Sequence, residues 1–455
     1  MKIEAIDKYI TSLSDKDKFS GAVLIAKEGK VLLKKSFGYA HIGLQIKNNV
    51  NTKFAYASIA KSFTAIAILQ LKQAGKLSLN DNIGMYLPEY PNQIVRDSIT
   101  IKHLLTHTSG LPHYFGDEKY LNAPNTKFRT LDDLSSLYEK KPLEFNPGSS
   151  FAYRNTNYLV LGRIIEKVSG HNYDRYIEEN IYSIAHMKNT GNFDKDHVIK
   201  NKAENYTLST VYPGKYQKAE FFGSRAKGNA DGGGFSTVDD LYLFVKALKS
   251  NKLLDDKHTQ MYLTSADSAR RYGFGIEIRN SNNNNGIIYG HSGGHYGTGC
   301  EWRVYDQKGY VVILLTNKDQ EQGFLDVRFF IQQQLDGTSH LLDKYFFTKK
   351  VVNIYIENGY EKAIQLIDEK SEYVDETELI MKGYDFLKKG KIINAIDIFK
   401  ITIHLFPNSS NAFDSLAESY MKNGENQLAI FNYEKSLKLD SLNNNAKAMI
   451  KELKN

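Results

Sequence analysis

Cysteine is nearly absent from this chain: Cys300 is the only one among 455 residues. That excludes an intrachain disulfide framework and a cysteine-based zinc site. Long apolar runs are missing too. The longest stretches, such as "YVVILLT" at 310–316, fall far short of the ~20 residues that cross a bilayer. Basic charge is present but dispersed. Lys and Arg outnumber Asp and Glu by 59 to 52, yet no block of five or more occurs, so nucleic acid is not an expected partner. The opening "MKIEAIDKYITSLSDKDKF" lacks the apolar core, roughly 7–15 residues, of a secretory signal. As written, the chain is expected in the cytoplasm, or in the periplasm or outside the cell if a signal was removed.

What remains is the composition of a soluble globular protein, with 41% hydrophobic and 24% charged residues, long enough for two or more domains. Residues 18–45 read as a hairpin, "FSGAVLIAK" and "KVLLKKSFGYA" about a Glu28-Gly29 turn. Three more strand-like runs, "GIIYGHSG", "GTGCEWRVY" and "GYVVILLTN", fill 286–317. Helical patterns lie between: 58–74 stopping at Gly75, 157–169 stopping at Gly170, and 236–250 opening on Ser/Thr with acidic residues behind. Strands from both ends enclosing helices predict an α+β domain over residues 1–340, an antiparallel sheet flanked by helices.

After about 345 only helical patterns occur, and they repeat. Gly390 recurs as Gly424, Ala395 as Ala429, Phe399 as Tyr433 and Asn411 as Asn445, a period of 34. This period, with Pro407 after the second helix, resembles the tetratricopeptide repeat and predicts an all-α region over 345–455. Such repeats bury their apolar faces by stacking, so the region is expected either to cap the first domain or to offer a groove to a protein partner.

Within "YASIAKSFTAIAILQ" (56–70), Ser58 and Lys61 open an apolar helix three residues apart, which puts lysine and hydroxyl on one face. A serine hydroxyl is a poor nucleophile until a base takes its proton, and a lysine whose ammonium is disfavoured by burial can serve. The bland alternative is a capping serine with a solvent-seeking lysine. The same spacing recurs at Ser224/Lys227, running into glycines, and at Ser419/Lys422, inside the repeat. Tyr153 and Asn155 stand just before the next long helix. "GHSGGHYGTG" (290–299) puts His291, Ser292, Gly293 and Gly294 on a strand, where glycine allows close backbone approach and an N–H can face a developing oxyanion.

Ser-x-x-Lys, then Tyr-x-Asn, then a His-Ser-Gly strand resembles the ordered signature of penicillin-recognising serine hydrolases. The Tyr form resembles the class C β-lactamase branch, which also contains esterases, D-stereospecific aminopeptidases and penicillin-binding-protein-like peptidases. "IKHLLTHTSGLP" (101–112) and "DGGGFSTVDDLYLF" (231–244) resemble it as well, so the likeness covers roughly residues 5–335. It implies an acylated Ser58, with Lys61 and Tyr153 together as base and Tyr153 relaying the proton. It further implies that Asn155 binds Lys61 or a substrate amide, and that the backbone N–H groups of Ser58 and Gly294 form the oxyanion hole. His291 would stand where most β-lactamases have lysine.

Arg154 and His291 depart from the family pattern, and both argue against lactamase-grade recognition of a substrate carboxylate. An ordinary histidine gains charge as pH falls from 8 to 6, so carboxylate preference is expected to rise over that range. The reading is therefore a serine hydrolase needing no metal or cofactor, cleaving a small-molecule or peptide ester or amide. The alternatives are a true β-lactamase and a non-catalytic scaffold. His103 and His107 have a zinc-compatible spacing without the zincin glutamate and read as structural histidines in a helix before the "THTSG" turn. Segments 111–128 and 221–234 read either as pocket borders or as inert connections, and "SNNNNG" (281–286) as a loop tip.

Overall fold

A computed structural model describes residues 2–124, 126–209, 211–219, 225–265, 271–281 and 286–454. Ser224, its neighbours 221–223 and the asparagine positions 282–285 lie outside the described residues. The chain divides into two compact units, Met1–Thr207 with Lys218–Asp336, and Leu208–Gln217 with Gly337–Asn455.

The first unit is the α+β assembly that the strand and helix patterns predict. Six strands, β1 (Gly21–Lys27), β2 (Lys30–Phe37), β3 (Glu277–Asn280), β4 (Ile287–His295), β5 (Thr298–Tyr305) and β6 (Tyr310–Thr316), form one antiparallel sheet in the order β2-β1-β6-β5-β4-β3. The hairpin turn is tight because Glu28 and Gly29 both take positive φ, 49° and 85°, the handedness that matches the twist of the flanking strands. Strand β1 then pairs with β6, Gly21 opposite Thr316 and Lys27 opposite Tyr310. The short polar β3, "EIRN", has no apolar alternation to mark it in the sequence; it is an edge strand, paired within the sheet with β4 and bridged on its other side by Tyr272.

Both faces of the sheet are covered, so β1 reads as an unbroken apolar run rather than an alternating one. Val23 and Ile25 on one face join Ile6 and Ile10 of helix α1 (Lys2–Asp15) and Val327, Ile331 and Leu335 of the helix Leu325–Asp336. Ala22, Leu24 and Ala26 face the main core. There α2 (Ala60–Gln73) is buried almost all round, the pattern of a central rather than a surface helix, and it packs on α3 (Asn155–Ser169). Among the described residues no helix is long and apolar enough to cross a membrane.

Trp302 of β5 is fully buried against Phe244 and Tyr289. Its indole N–H lacks a partner among the described residues, so its contribution is packing. Trp302→Ala is expected to lower stability by about 3–5 kcal/mol in denaturant unfolding. Trp302→Phe, which deletes the unpaired N–H with only part of the volume, should cost less; equal losses would mean that the indole nitrogen matters more than its bulk.

From Gly337 onward the second unit is helical, while its short segment Leu208–Gln217 carries the ends of two small strands. Helices Glu376–Lys388 and Ile392–Leu405 are followed by Ser410–Lys422 and Asn426–Leu439, each member of the second pair beginning and ending 34 residues after its counterpart. Ala395 and Ala429, one period apart, are both fully buried, as are Phe399 and Tyr433. Gly383 admits the Phe399 ring where a Cβ would stand 2.3 Å from it. Gly390 and Gly424 leave the first helix of each pair at φ 70° and 80°, a left-handed exit that glycine takes without steric cost.

Candidate active site

Ser58 does not begin α2. It lies on a single 3-10 turn, Ala57–Ile59, that feeds the helix. Ala57 before it takes φ 41°, a conformation L side chains seldom adopt, so the surroundings must hold it there. They do so on both sides. Tyr56 N–H donates to the Gly234 carbonyl (3.2 Å), and the Cys300 thiol donates to the Tyr56 carbonyl (3.0 Å). Gly293 of β4 lies so close that a Cβ there would stand 2.7 Å from the Ser58 backbone nitrogen. The serine thus sits where α2 meets the sheet, its hydroxyl free of any helix-capping bond.

One turn on, Lys61 is completely buried. Its Nζ donates to Ser58 Oγ (3.2 Å), Asn155 Oδ1 (2.7 Å) and the Asp231 carbonyl (2.5 Å). Burial pushes its pKa down to about 7; the Asp231 carboxylate holds it up and Arg225 pushes it further down. Near neutrality a sizeable fraction is therefore the free amine. The Asp231 carboxylate is itself tied to Tyr114 (2.6 Å) and Arg225 (2.5 Å).

Tyr153 and Asn155 reach the same point from the start of α3. Lys61 Nζ lies 4.9 Å from the Tyr153 ring centre. Burial pushes the Tyr153 phenol well above its ordinary range, with a hydrogen bond to Ser58 pulling the other way. His107 brackets this tyrosine. Its carbonyl accepts from Ala152 N–H (2.9 Å), its Nδ1 accepts from Arg154 N–H (3.2 Å), and its ring centre is 4.3 Å from that of Tyr153. The helix Ile101–Leu105 ends before His107, which takes φ 57°, while His103 caps that helix through Thr100. The two histidines therefore do not share a helical face.

On β4, the Ser292 carbonyl can only accept, so His291 Nδ1 carries a proton toward it, and Nε2 receives the Tyr272 hydroxyl (3.0 Å). Burial pushes the His291 pKa down to about 4; Glu277 holds it up and Lys61 pushes it down. This corrects the expected pH response. A histidine with so low a pKa stays neutral from pH 8 to 6, so the preference between a carboxylate-bearing and a neutral ester should be flat there. Both substrates need the same state of Lys61, so its titration cancels in the ratio of kcat/KM. A rise in that ratio toward pH 6 would put a charged imidazole back in the site.

Ser292 donates its backbone N–H (3.1 Å) and hydroxyl (2.7 Å) to Glu277. Burial alone would raise the Glu277 pKa, but Arg303, with His291, Arg328 and Ser292, holds it well below the usual carboxylate range. The Gly293 carbonyl accepts from Gln320 Nε2 (2.9 Å), and Gln320 also covers Gly294. Two lobes of a cavity meet at Ser58, Tyr153 and Gly294. One, about 240 Å³, is walled by Phe115, Tyr120, Phe235 and Tyr296; the other, about 370 Å³, runs along β4 to Glu277.

Seven of the eight residues singled out in the three motifs line the two lobes, with Lys61 buried behind Ser58, whereas Ser419 and Lys422 each bond elsewhere and Ser224 lies outside the described residues. Ser419 donates to the Leu416 carbonyl and Lys422 pairs with Glu418. Lys227 pairs with Asp174. Arg154 turns away to Glu144 (2.7 Å). Among the described residues no group of three or more metal-binding side chains occurs. Segments 111–128 and 221–234 do line the pocket, through His113, Phe115, Tyr120, Arg225 and Asp231. Sequence reading gave no role to Asp231, Arg225, Tyr272 or Glu277. No local spacing could, since Asp231 lies 170 residues from the lysine it bonds.

The family model described as Beta-lactamase matches residues 6–335. Penicillin-binding protein 4* of Bacillus subtilis (strain 168) is 30% identical over 389 residues, covering 81% of this chain and 84% of that protein. The crystal structure of a penicillin-binding protein from Bacillus halodurans is 31% identical with a TM-score of 0.63, covering 70% of this chain and 97% of that one. An octameric penicillin-binding protein homologue from Pyrococcus abyssi is 25% identical, also at a TM-score of 0.63, over 78% of this chain and 82% of that one.

Proposed function

This chain belongs to the beta-lactamase family of serine hydrolases, and from that premise we propose that it cleaves an ester or amide through an acyl-enzyme on Ser58. The observation that carries the reading is a buried Lys61, its pKa near 7, with its Nζ 3.2 Å from the Ser58 hydroxyl. As Ser58 Oγ attacks the acyl carbon, its proton passes to the free amine of Lys61. Asn155 and the Asp231 carbonyl then stabilise the resulting ammonium. Tyr153 stays protonated at neutral pH, so it acts as a relay: it gives its proton to the leaving group and regains one from Lys61. The N–H groups of Ser58 and Gly294 face the oxyanion. Water, deprotonated along the same route, then attacks the ester and frees Ser58.

Esterase or peptidase activity is preferred over β-lactamase activity because His291 is neutral and already bonded on both nitrogens, leaving no cation on β4 to hold a carboxylate. A panel of p-nitrophenyl esters, D-amino acid amides and a chromogenic cephalosporin tests this. Neutral esters or amides should be turned over best; a cephalosporin hydrolysed equally well would establish the β-lactamase alternative.

The C-terminal unit reads as tetratricopeptide-like, supported by the 34-residue offset of its helix pairs and by the burial of Ala395 with Ala429 and Phe399 with Tyr433. A protein partner is the use such repeats suggest.

A further inference from the structure

Lys61 Nζ has three hydrogen-bond partners, and two of them can only accept: the Asn155 amide oxygen and the Asp231 carbonyl. A free amine has two N–H bonds and one lone pair. With both N–H groups given to those oxygens, the lone pair faces the Ser58 hydroxyl, the one partner able to donate. The Asp231 carbonyl therefore aims the base. It belongs to a tight turn, closed by Asn229 N–H to the Gly232 carbonyl (2.8 Å) and Gly232 N–H to the Asn229 carbonyl (3.2 Å). Both central carbonyls of the turn meet α2: Asp231 takes Lys61, and Ala230 takes the Thr64 hydroxyl (2.7 Å) three residues further along the helix. The Asp231 side chain is fully buried, and it ties the turn to Arg225 Nη1 (2.5 Å) and the Tyr114 hydroxyl (2.6 Å).

The same ion pair puts two opposite charges beside the buried lysine. The other titratable groups that face Lys61 are neutral near pH 7. Burial keeps the phenol protons on Tyr153 and Tyr158, whose ring centres lie 4.9 and 5.6 Å from Nζ. Burial also holds His107, His113 and His291 unprotonated. Glu277, along β4, is paired with Arg303. Among the described residues, Asp231 and Arg225 are thus the charges that act on the lysine. We propose that Asp231 and Arg225 are positioning residues for the base: their ion pair holds the turn whose carbonyl aims Lys61 at Ser58, and their charges act on the lysine's proton in opposite senses. The inference rests on the serine-hydrolase reading of Ser58. An anion favours the ammonium form and a cation the free amine, so removing one partner should have the opposite effect to removing the other.

The test follows kcat/KM for a neutral p-nitrophenyl ester against pH in the wild type, Asp231→Asn, Arg225→Gln and the double variant. The acidic limb near 7 should move down by about one pH unit in Asp231→Asn and up by about one in Arg225→Gln. At pH 6, relative to each protein's own plateau, the first raises activity about fivefold and the second lowers it about ninefold. The double variant leaves no buried charge unpaired. Its limb should lie between those of the wild type and Asp231→Asn, because the aspartate acts more strongly than the arginine. Asp231→Ala, which also frees the turn from Tyr114, should share the downward shift and reach a plateau about tenfold below that of Asp231→Asn. Limbs that move together, or that coincide in all folded variants, overturn the inference; a merely structural ion pair would lower the plateau and leave the limb in place. Equal plateaus for Asp231→Ala and Asp231→Asn also overturn it. If neither charge-removing single variant folds, the double variant decides: a limb displaced downward supports the inference, and one at or above the wild-type position overturns it. If a fluorophosphonate fails to label Ser58 and the ester is not turned over, the serine-hydrolase reading itself has failed. Labelling and turnover with a limb indifferent to both residues defeat the positioning role alone.

Discussion

Ser58→Ala is expected to abolish phosphonylation by an active-site serine probe and to lower kcat/KM for the best neutral ester by about 10³-fold or more. The substitution deletes one atom, Oγ, whose contacts are the Lys61 amine and Tyr153. The bonds that hold its turn, Tyr56 N–H to Gly234 and Ile59 N–H to Tyr56, are made by backbone, so the fold should persist. Intact mass of the wild type should show one phosphonyl group per chain, and peptide mapping should place it on 54–61. Residual turnover above background is compatible with the mechanism, because the backbone donors around the oxyanion remain. Wild-type turnover in the variant is not, and would sink the mechanism.

Lys61→Met should be nearly as damaging, with a loss of about 10²–10⁴-fold, the range a general base supplies. Its signature is in the pH profile. Wild-type kcat/KM should fall below a pKa of about 7, as the amine takes up a proton, and the residual activity of the variant should lack that limb. Stability responds with the opposite emphasis. Lys61 titrates near 7 when folded and near 10.4 when unfolded, so between those values the unfolded chain binds more protons. Relative to Lys61→Met, the wild type should therefore gain stability as pH rises from about 7 toward 10. A rate profile with the same limb in both proteins would remove Lys61 as the base.

How much of this could be read from the chain depends on how local each cause is. The hairpin at Glu28-Gly29, the helix stop at Gly170 and the 34-residue spacing are written in neighbouring residues, and they appear in the structure at those positions. Ser58 and Lys61 are legible because one helical turn joins them, and Tyr153 and His291 because their motifs follow Ser-x-x-Lys in the order that the family resemblance implies. Their environments were not legible. Whether His291 titrates near 6.5 or near 4 depends on Tyr272 and on burial, neither of which its neighbours in sequence reveal. Glu277 lies on a four-residue edge strand with no apolar pattern, so neither the strand nor its carboxylate could be anticipated.

The pairing of β1 with β6 also sets a timetable. Residues 21–27 find their partner only in residues 310–316, so the hairpin keeps an open hydrogen-bonding edge until that distant strand has been made. The nucleophile is subject to the same delay. Its strained turn is pinned by Gly293 and Cys300, more than 200 residues downstream of Ser58. A topology so dominated by distant pairings folds slowly once complete, with its first strand exposed to wrong partners meanwhile. Until residues 293–300 have been made, the growing chain therefore lacks the groups that hold the Ser58 turn in its strained conformation.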